Sequence, residues 1–224
     1  MSILEKEFRG QKFSFHETPE AQVLIDEIFS DNYKVLEKNI EFSPGDIILD
    51  IGANEGMFSV MMAKLFPQTR VIALEPLPST YFNLVRNKGL NDCPNIEAYN
   101  IGIGPPGKHT DTLITNKNGM SGGSTSFCTF NPDHHVKVEV GLISLDEAFD
   151  LYNIDRCRLL KLDIEGGEYE ALYPSTVLPR VDFMTAEYHF NNKLDFKSRR
   201  PDGLIVWCAN QTHLIHADCC RMAE

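Results

Sequence analysis

The sequence predicts an α/β fold in which a doubly wound, mostly parallel sheet carries helices on both faces. Short apolar runs bounded by turn residues recur along the chain, a pattern typical of strands buried in a parallel sheet. Segments with apolar residues at helical spacing separate these runs. No internal repeat or low-complexity linker divides the 224 residues. We therefore expect one domain over residues 43–224, preceded by an N-terminal helical extension over residues 1–42.

Apolar runs predict five strands of the sheet and a closing hairpin. Each run is too short for a helix and is bordered by glycine, proline or charged residues. An antiparallel hairpin is expected to close the sheet, with residues 204–209 and 213–217 as its strands around Asn210-Gln211. The five parallel strands are predicted over residues 47–51, 71–74, 96–101, 159–164 and 181–188.

Helix starts are indicated by capping residues. Thr18-Pro19-Glu20 combines a threonine cap, a proline at the first helical position and an acid in the first turn. Ser144 followed by Glu147 predicts a capping box, and Ser79 is a further candidate cap. The helices are predicted after residue 18 and over residues 32–38, 57–66, 79–88, 144–151 and 168–173.

Composition argues against several classes of partner. The formal net charge is −11, and an acidic surface repels phosphate backbones, so no nucleic-acid partner is expected. No run approaches the roughly 18 apolar residues that span a bilayer, so no membrane partner is expected either. The amino terminus is charged where a signal peptide is apolar. The six cysteines fit no zinc pattern and indicate free thiols, which predicts a cytoplasmic protein.

The predicted first strand ends in an acid and a glycine turn. Asp50 precedes Gly52 by two residues, and Gly56 completes a G-x-x-x-G spacing. Gly52 allows a sharp turn close to a ligand, and Gly56 allows tight packing at the start of the next helix, whose amino end faces that ligand. In such sheets ligands bind at the carboxyl ends of the strands, where strand order reverses. We expect the cofactor at this turn.

The acids at these strand ends indicate which cofactor it is. The dinucleotide fingerprint G-x-G-x-x-G is absent from this turn, and Asp50 would repel a pyrophosphate. S-adenosylmethionine instead carries an ammonium group and a sulfonium, which a carboxylate attracts. Glu75 ends the second strand, where an acid can accept both ribose hydroxyls of an adenosine. The two features together predict S-adenosylmethionine as the cofactor.

Longer motifs identify a family. Residues 50–59 read DIGANEGMFS and residues 161–172 read KLDIEGGEYEAL. Gly45-Asp46, Glu75-Pro76, Gly122-Gly123-Ser124 and Ser144-Leu145-Asp146-Glu147 accompany them. With these motifs the chain resembles the FkbM family of methyltransferases over residues 33–189. The resemblance implies a Rossmann-like class I methyltransferase fold and transfer of a methyl group from S-adenosylmethionine to a hydroxyl of a small molecule, such as a sugar or a natural-product scaffold.

The resemblance also implies which residues contact the cofactor. Carried over by position, Asp50, Gly52 and Asn54 would hold its amino-acid end, and Glu75 would hold its ribose. The residues that would line the adenine follow the third strand and are Asn100 and Ile101.

The acceptor side needs a group that removes a proton from the hydroxyl, either a base or a metal. Asp163 ends the fourth strand, and Glu187 and His189 end the fifth at a spacing that points both the same way. We expect Asp163 to bind or deprotonate the acceptor and His189 to act as general base. In one alternative Asp163, Glu187 and His189 hold a divalent metal that chelates a diol. In another, Asp163 and Glu165 cap the following helix.

Other functions remain as alternatives at this level. A catalytically silent protein that binds the same cofactor, or a scaffold of the same fold, would share every cofactor motif. An NAD-dependent oxidoreductase would require the glycine fingerprint that the first turn lacks. An N-methyltransferase would more usually show an Asn/Asp-Pro-Pro-Tyr type of motif, which the sequence does not contain.

Overall fold

Strands and helices alternate through most of the chain. The computed structural model describes residues 2–30, 40–118, 126, 129–190, 204–205 and 208–221. The strands are β1 (Ile3–Phe8), β2 (Gln11–His16), β3 (Ile47–Ile51), β4 (Arg70–Leu74), β5 (Ile96–Tyr99), β6 (Gly102–Ile103), β7 (Thr110–Asn116), β8 (His135–Ile143), β9 (Cys157–Leu162), β10 (Val181–Phe190) and β11 (His213–Arg221). The helices are α1 (Ala21–Ile28), α2 (Met57–Leu65), α3 (Pro78–Leu90), α4 (Leu145–Leu151) and α5 (Glu168–Leu172), with a 3-10 turn at Leu178–Arg180.

The central sheet has six strands in the order β5-β4-β3-β9-β10-β11, and each neighbouring pair is parallel. The chain moves outward from β3 to β4 and β5, and later returns to the other side of β3 to add β9, β10 and β11. Strand order therefore reverses between β3 and β9, where Asp50 lies opposite Lys161. A parallel sheet opens a crevice at such a point, outside the carboxyl ends of its strands.

Helices cover both faces of this sheet, because alternate residues of each strand point to opposite sides. In β3, Leu49 and Ile51 belong to the core that contains α4 and α5. Ile48, between them, belongs to the core that contains α1 and α2. All three are almost completely buried, and full burial of such a side chain stabilises the fold by about 1.5–3 kcal/mol. The predicted doubly wound α/β class is confirmed.

The helix starts agree with the sequence in one case and differ in another. The capping box at α4 is present: Ser144 accepts from the backbone N–H of Glu147, whose carboxylate accepts from the N–H of Ser144. α3 begins at Pro78, one residue before the predicted cap Ser79, because the fixed φ of proline suits the first helical position. No helix among the described residues is both long and apolar enough to cross a membrane.

The N-terminal segment differs from the predicted helical extension, because β1 and β2 form an antiparallel hairpin. Arg9 and Gly10 join them with positive φ, as a two-residue hairpin turn requires. Phe13 and Phe15 alternate with polar residues and are fully buried in the core shared with α2. Because most residues of this segment are polar, its sequence does not clearly show the alternation of apolar and polar residues that is typical of a strand. α1 is the helix in the described part of the extension, and the second predicted helix, residues 32–38, lies outside the described residues.

The closing part of the sheet also differs, because β11 pairs with β10 in parallel. The predicted antiparallel hairpin is therefore wrong. Of its expected first strand, residues 204, 205, 208 and 209 are helical, since a short apolar run fits a buried helix as well as a strand. A parallel neighbour needs a connection of about a dozen residues or more, and the chain from Phe190 to His213 supplies that length. Residues 191–203 lie outside the described part.

A second sheet stands beside the carboxyl ends of the central one. Its order is β6-β8-β7, with β8 antiparallel to β7 and parallel to β6. Val140 and Leu142 of β8 pack with Leu77, just before α3. The small sheet therefore leans on the segment that follows β4, and it forms one wall of the crevice.

Candidate functional site

A cavity of about 900 Å³, counting its open mouth, lies at the carboxyl ends of β3, β4 and β9. This is the crevice at the reversal of strand order. Its walls come from the glycine turn after β3, the segment after β4, the start of β6 and the turn after β9. Its lining includes Gly52, Asn54, Glu75, Gly102, Ile103 and Asp163.

The glycine turn is shaped by close contact with the neighbouring strand. Gly52 has φ 75°, and a Cβ atom there would lie 1.7 Å from the carbonyl oxygen of Asp163. Asn54 also has a positive φ, and Gly56 has φ 84° where α2 begins. No residue other than glycine fits at position 52 without moving the end of β9. The turn therefore brings bare backbone to the cavity wall.

Glu75 binds both backbone segments that border the cavity. Its Oε2 accepts from the N–H of Asn54 at 2.9 Å, and its Oε1 accepts from the N–H of Leu77 at 2.8 Å. The residue is 6 % exposed, and burial raises its pKa to about 7 although these two hydrogen bonds lower it. Each carboxylate oxygen has a second lone pair that can accept from a ligand hydroxyl. Glu75 thus fixes the turn and presents an acceptor to the cavity.

Asp50 lies beneath the cavity floor and is fully buried. Its Oδ2 accepts from the hydroxyl of Ser59 on α2 at 2.6 Å, and its Oδ1 lies 3.5 Å from the Nζ atom of Lys161. Burial raises the pKa of Asp50, whereas the charge of Lys161 lowers it. In this position Asp50 supports the turn from below. Its contact with the amino-acid end of the cofactor stays a prediction.

Lys161 joins the two sides of the cavity, and the sequence analysis did not include it among the site residues. Its Nζ atom donates to the carbonyl oxygen of Gly52 at 2.7 Å and lies 3.6 Å from Oδ2 of Asp163. The side chain is 7% exposed. The signal was a lysine inside an otherwise apolar strand, because a buried ammonium group requires carboxylate partners.

The segment expected to line the adenine is shifted along the chain. The amide of Asn100 donates to the carbonyl oxygens of Glu75 and Pro76, at 2.9 Å each. Ile101 packs against the core. Neither belongs to the cavity lining, whereas Gly102 and Ile103 do. Asn100 therefore braces the end of β4, and the wall itself is formed one to three residues later.

Around His189 the structure gathers the acceptor-side residues that the sequence predicted. The ring is 5 % exposed, and its Nδ1–H donates to Oε1 of Glu168 at 2.9 Å. Its Nε2 atom lies 3.3 Å from Glu165, 3.9 Å from Glu187 and 4.0 Å from Asp163. We call these five residues the His189 cluster. Asp163 and Glu165 also line the cavity, so the cluster borders it.

Mutual repulsion and burial shift the ionisation of this cluster. Burial lowers the pKa of His189, but the hydrogen bond and charge of Glu168, with the charges of Glu165 and Asp163, outweigh burial and raise it. Burial raises the pKa of Glu187, and the neighbouring charge of Asp163 raises it further. The imidazole therefore holds a proton more tightly than usual, and the carboxylate of Glu187 gains one more easily.

Glu168 fixes the turn after β9, and the sequence analysis did not place it in the site. Besides the imidazole, its Oε1 accepts from the N–H of Gly166 at 3.1 Å. The residue before α5 is Gly167, which has no side chain to cap this helix. The N-cap position is therefore occupied by neither Asp163 nor Glu165. Their carboxylates face His189 instead.

Comparison with known proteins identifies the chain. The family model described as the methyltransferase FkbM domain matches residues 50–211, from the end of β3 to beyond β10. Methyltransferase 1 of Beauveria bassiana is 27% identical over 193 residues, covering 77% of this chain and 76% of that protein. Methyltransferase sdnD of Sordaria araneosa is 32% identical over 182 residues, covering 68% of each. The 31-O-demethyl-FK506 methyltransferase FkbM of Streptomyces tacrolimicus is 28% identical over 196 residues, covering 76% of this chain and 75% of that protein.

The matched region contains the glycine turn, Glu75 and the turn after β9, which the fold brings to one cavity, and also His189, which lies beside Asp163 and Glu165 of that cavity. The interpretation as an NAD-dependent oxidoreductase is thereby set aside. Because the family model covers more than half of the chain, the protein belongs to the FkbM methyltransferase family and is an S-adenosylmethionine-dependent methyltransferase.

Proposed function

We propose that the protein transfers the methyl group of S-adenosylmethionine to a hydroxyl oxygen of a small molecule, such as a sugar or a natural-product scaffold. The observation that carries the proposal is the position of Asp163, whose carboxylate lines the same cavity as Gly52 and Glu75. One relative supports the choice of oxygen, because its name refers to an oxygen of FK506.

The residues present suit this cofactor. The cavity lies outside the carboxyl ends of the parallel strands, where sheets of this kind bind nucleotide-like ligands. Gly52, which has no Cβ atom, lets the end of β9 pack directly against the turn that would receive the amino-acid end. Glu75 would accept the ribose hydroxyls. Gly102 and Ile103, rather than Asn100 and Ile101, would border the adenine.

The chain's own residues orient the acceptor. When bound, S-adenosylmethionine supplies an electrophilic methyl group on a sulfonium. The protein has to hold a hydroxyl oxygen roughly 3 Å from that carbon and in line with the bond that breaks. The Asp163 side chain, 25% exposed, would accept a hydrogen bond from the hydroxyl. Lys161 and His189, at 3.6 Å and 4.0 Å from its two oxygens, hold this carboxylate in place.

The cofactor site is tested by calorimetric titration with S-adenosylmethionine and with its demethylated product. We expect micromolar binding to the wild type and an affinity about 10- to 100-fold lower in Glu75→Ala, because hydrogen bonds to a charged acceptor are lost. Glu139→Ala, which removes an exposed carboxylate on β8, is the matched control and should bind like the wild type. No binding by folded wild-type protein would overturn the proposal.

The acceptor class is tested with isotope-labelled methyl groups. Panels of hydroxyl and amine compounds are incubated with the protein, and the labelled atom of each product is located by nuclear magnetic resonance. We expect the label on oxygen, and a turnover lowered by about 100-fold or more in Asp163→Asn. The variant should still bind the cofactor, which shows that it folds. A label found on nitrogen alone would contradict O-methylation.

The same proposal places the protein in the cytoplasm without nucleic-acid or membrane partners. Its support is chemical: Cys93, Cys157 and Cys208 are buried free thiols, which suit a reducing compartment. The net charge of −11 disfavours binding to phosphate backbones. Recovery of the native protein in the membrane or secreted fraction of its own cells would contradict this part.

A further inference from the structure

We propose that Asp163, Glu187 and His189 bind one divalent cation of the Mn²⁺ type, which receives the acceptor hydroxyl at the edge of the cavity. The role of the cation rests on the proposed function, but its binding does not. The three residues each offer one ligand atom, and these atoms all lie within 4.8 Å of one another. Metal–ligand bonds of about 2.1 Å place two ligand atoms of one ion about 3–4.2 Å apart. The side chains therefore need only a small inward shift.

The imidazole is already oriented for a metal. The Nδ1–H of His189 donates to Glu168 at 2.9 Å, so Nε2 is the ring nitrogen that faces the other carboxylates, and it would bind the metal in exchange for its proton. Glu168 is completely buried, and the N–H of Gly166 also donates to it. A buried carboxylate that fixes the tautomer of a histidine is the usual outer partner of a metal-binding imidazole. This arrangement is independent of the acidic residues that face Nε2.

The carboxylates that face Nε2 of His189 carry negative charge that a cation would balance. Oδ1 of Asp163 is buried and accepts no hydrogen bond from the described residues. Glu165 and Glu187 lie within 4 Å of Nε2, and the ammonium of Lys161 is shared between Asp163 and Asp50. Like charges held this close together in a partly buried site are costly unless they are neutralised. One divalent ion would offset them more completely than one proton on the imidazole.

The set of donor atoms selects the class of metal. One imidazole and two carboxylates favour a first-row transition ion over Ca²⁺, which prefers oxygen ligands alone. Asp163 faces the cavity, so the remaining coordination positions of the ion would open toward the acceptor.

A cation would also make the acceptor hydroxyl easier to deprotonate. A carboxylate is a weak base toward an alcohol, whereas coordination to a metal ion strongly lowers the pKa of a hydroxyl oxygen. The released proton would pass to the Glu165 carboxylate, which lines the cavity. The acceptor oxygen would then form the new bond to carbon as the carbon–sulfur bond breaks, with its electron pair returning to sulfur.

The test is a titration of the chelator-treated full chain with Mn²⁺, followed by electron paramagnetic resonance, in which bound Mn²⁺ loses the sharp signal of the free ion. We expect saturation at one ion per chain. Glu187→Gln and His189→Ala should weaken binding by about 100-fold or more, and Glu168→Gln by about 10- to 100-fold. Glu139→Gln and His134→Ala replace exposed residues on β8 and just before it, and should bind Mn²⁺ like the wild type.

Three outcomes decide the proposal. The proposal is overturned if the wild-type protein binds no Mn²⁺. It is also overturned if the Glu187→Gln variant binds Mn²⁺ as tightly as the wild type. If His189→Ala fails to fold, judged by circular dichroism, the isosteric Glu187→Gln variant decides alone. Calorimetry with S-adenosylmethionine on the same samples separates the two proposals: cofactor binding without Mn²⁺ binding removes only the metal, and Mn²⁺ binding without cofactor binding removes only the proposed cofactor site.

Discussion

The two halves of the cavity are built by different means. The cofactor half consists of the turn after β3 and the end of β4, with Gly52 and Glu75, and it depends on backbone geometry. A glycine φ of 75° and two hydrogen bonds from backbone N–H groups fix its shape. The acceptor half consists of the end of β9, which lines the cavity, and the end of β10 beside it, and it depends on side-chain charge. There the carboxylates of the His189 cluster surround one buried imidazole.

The shape of the cofactor half is therefore fixed by the backbone, whereas the acceptor half can respond to a ligand. A steric limit at Gly52 is the same at every pH and with every acceptor. A cluster of carboxylates changes its interactions with each proton or cation that it binds. Lys161 contacts both halves, since it binds the carbonyl of Gly52 and lies beside Asp163. Variants in each half should therefore fail in different ways.

The largest expected effect is on the cofactor half. Gly52→Ala places a Cβ atom 1.7 Å from the carbonyl oxygen of Asp163, so the end of β9 or the turn must move. We expect a loss of about 5 kcal/mol or more in the free energy of unfolding, measured with urea. Gly10→Ala is the matched control, because it has φ 72° with no atom within 4 Å and should cost only about 1–2 kcal/mol. Equal losses in the two variants would contradict the contact.

The next effect concerns the link between the halves. Lys161→Met leaves the fully buried Asp50 carboxylate without its cation, and breaking such a buried pair costs about 3–5 kcal/mol. We therefore expect the free energy of unfolding, measured with urea, to fall by about 4 kcal/mol in this variant. Adding Asp50→Asn should recover part of it, because the unpaired charge is removed. Lys137→Met, on the exposed side of β8, serves as control. A double variant less stable than Lys161→Met would argue against the pairing.

A smaller effect should appear in the pH dependence of stability. Burial raises the pKa of Glu75 from 4.5 to about 7, so the folded protein retains a proton that the unfolded chain releases. Stability from this group is complete below about pH 4.5 and is lost as the pH rises through about 7, by about 3 kcal/mol in total. Glu75→Gln should lack this decline. Urea unfolding at several pH values measures this decline. If the free energy of unfolding changes with pH in the same way in the variant and the wild type, the raised pKa of Glu75 is contradicted.

The cofactor half could be predicted from the sequence because its signals are local. An acid, a glycine turn and a second acid at the next strand end occur in fixed order along the chain, and the fold confirms that Gly52 and Glu75 border one cavity. Asn100 and Ile101 lie just before the residues that line the cavity, since the end of β5 cannot be located from an apolar run alone, and their contact with the adenine stays a prediction.

The acceptor half was only partly predictable, because its contacts join residues that are distant in sequence. Asp163, Glu187 and His189 were expected together from strand ends, and the structure brings them together. Glu168 was missed because a helical glutamate shows no local sign of burial, and Lys161 was missed although a lysine inside an apolar strand is a signal of a buried ammonium group. The hairpin of β1 and β2 and the parallel β11 were missed for a related reason: tertiary packing decides between patterns that short apolar or polar runs leave open.

The smallest expected effect tests whether the two halves are separate. Glu187 lies on β10, its carboxylate is 3.9 Å from His189, and it does not belong to the cavity lining. Glu187→Gln should therefore change the affinity for S-adenosylmethionine by less than about threefold, because sites without shared contacts act independently. Calorimetry measures this, with Glu75→Gln as the variant that must weaken binding in the same titration. A loss of about tenfold or more in Glu187→Gln would contradict the separation of the two halves, and Lys161, which contacts both, would be the residue that transmits the charge.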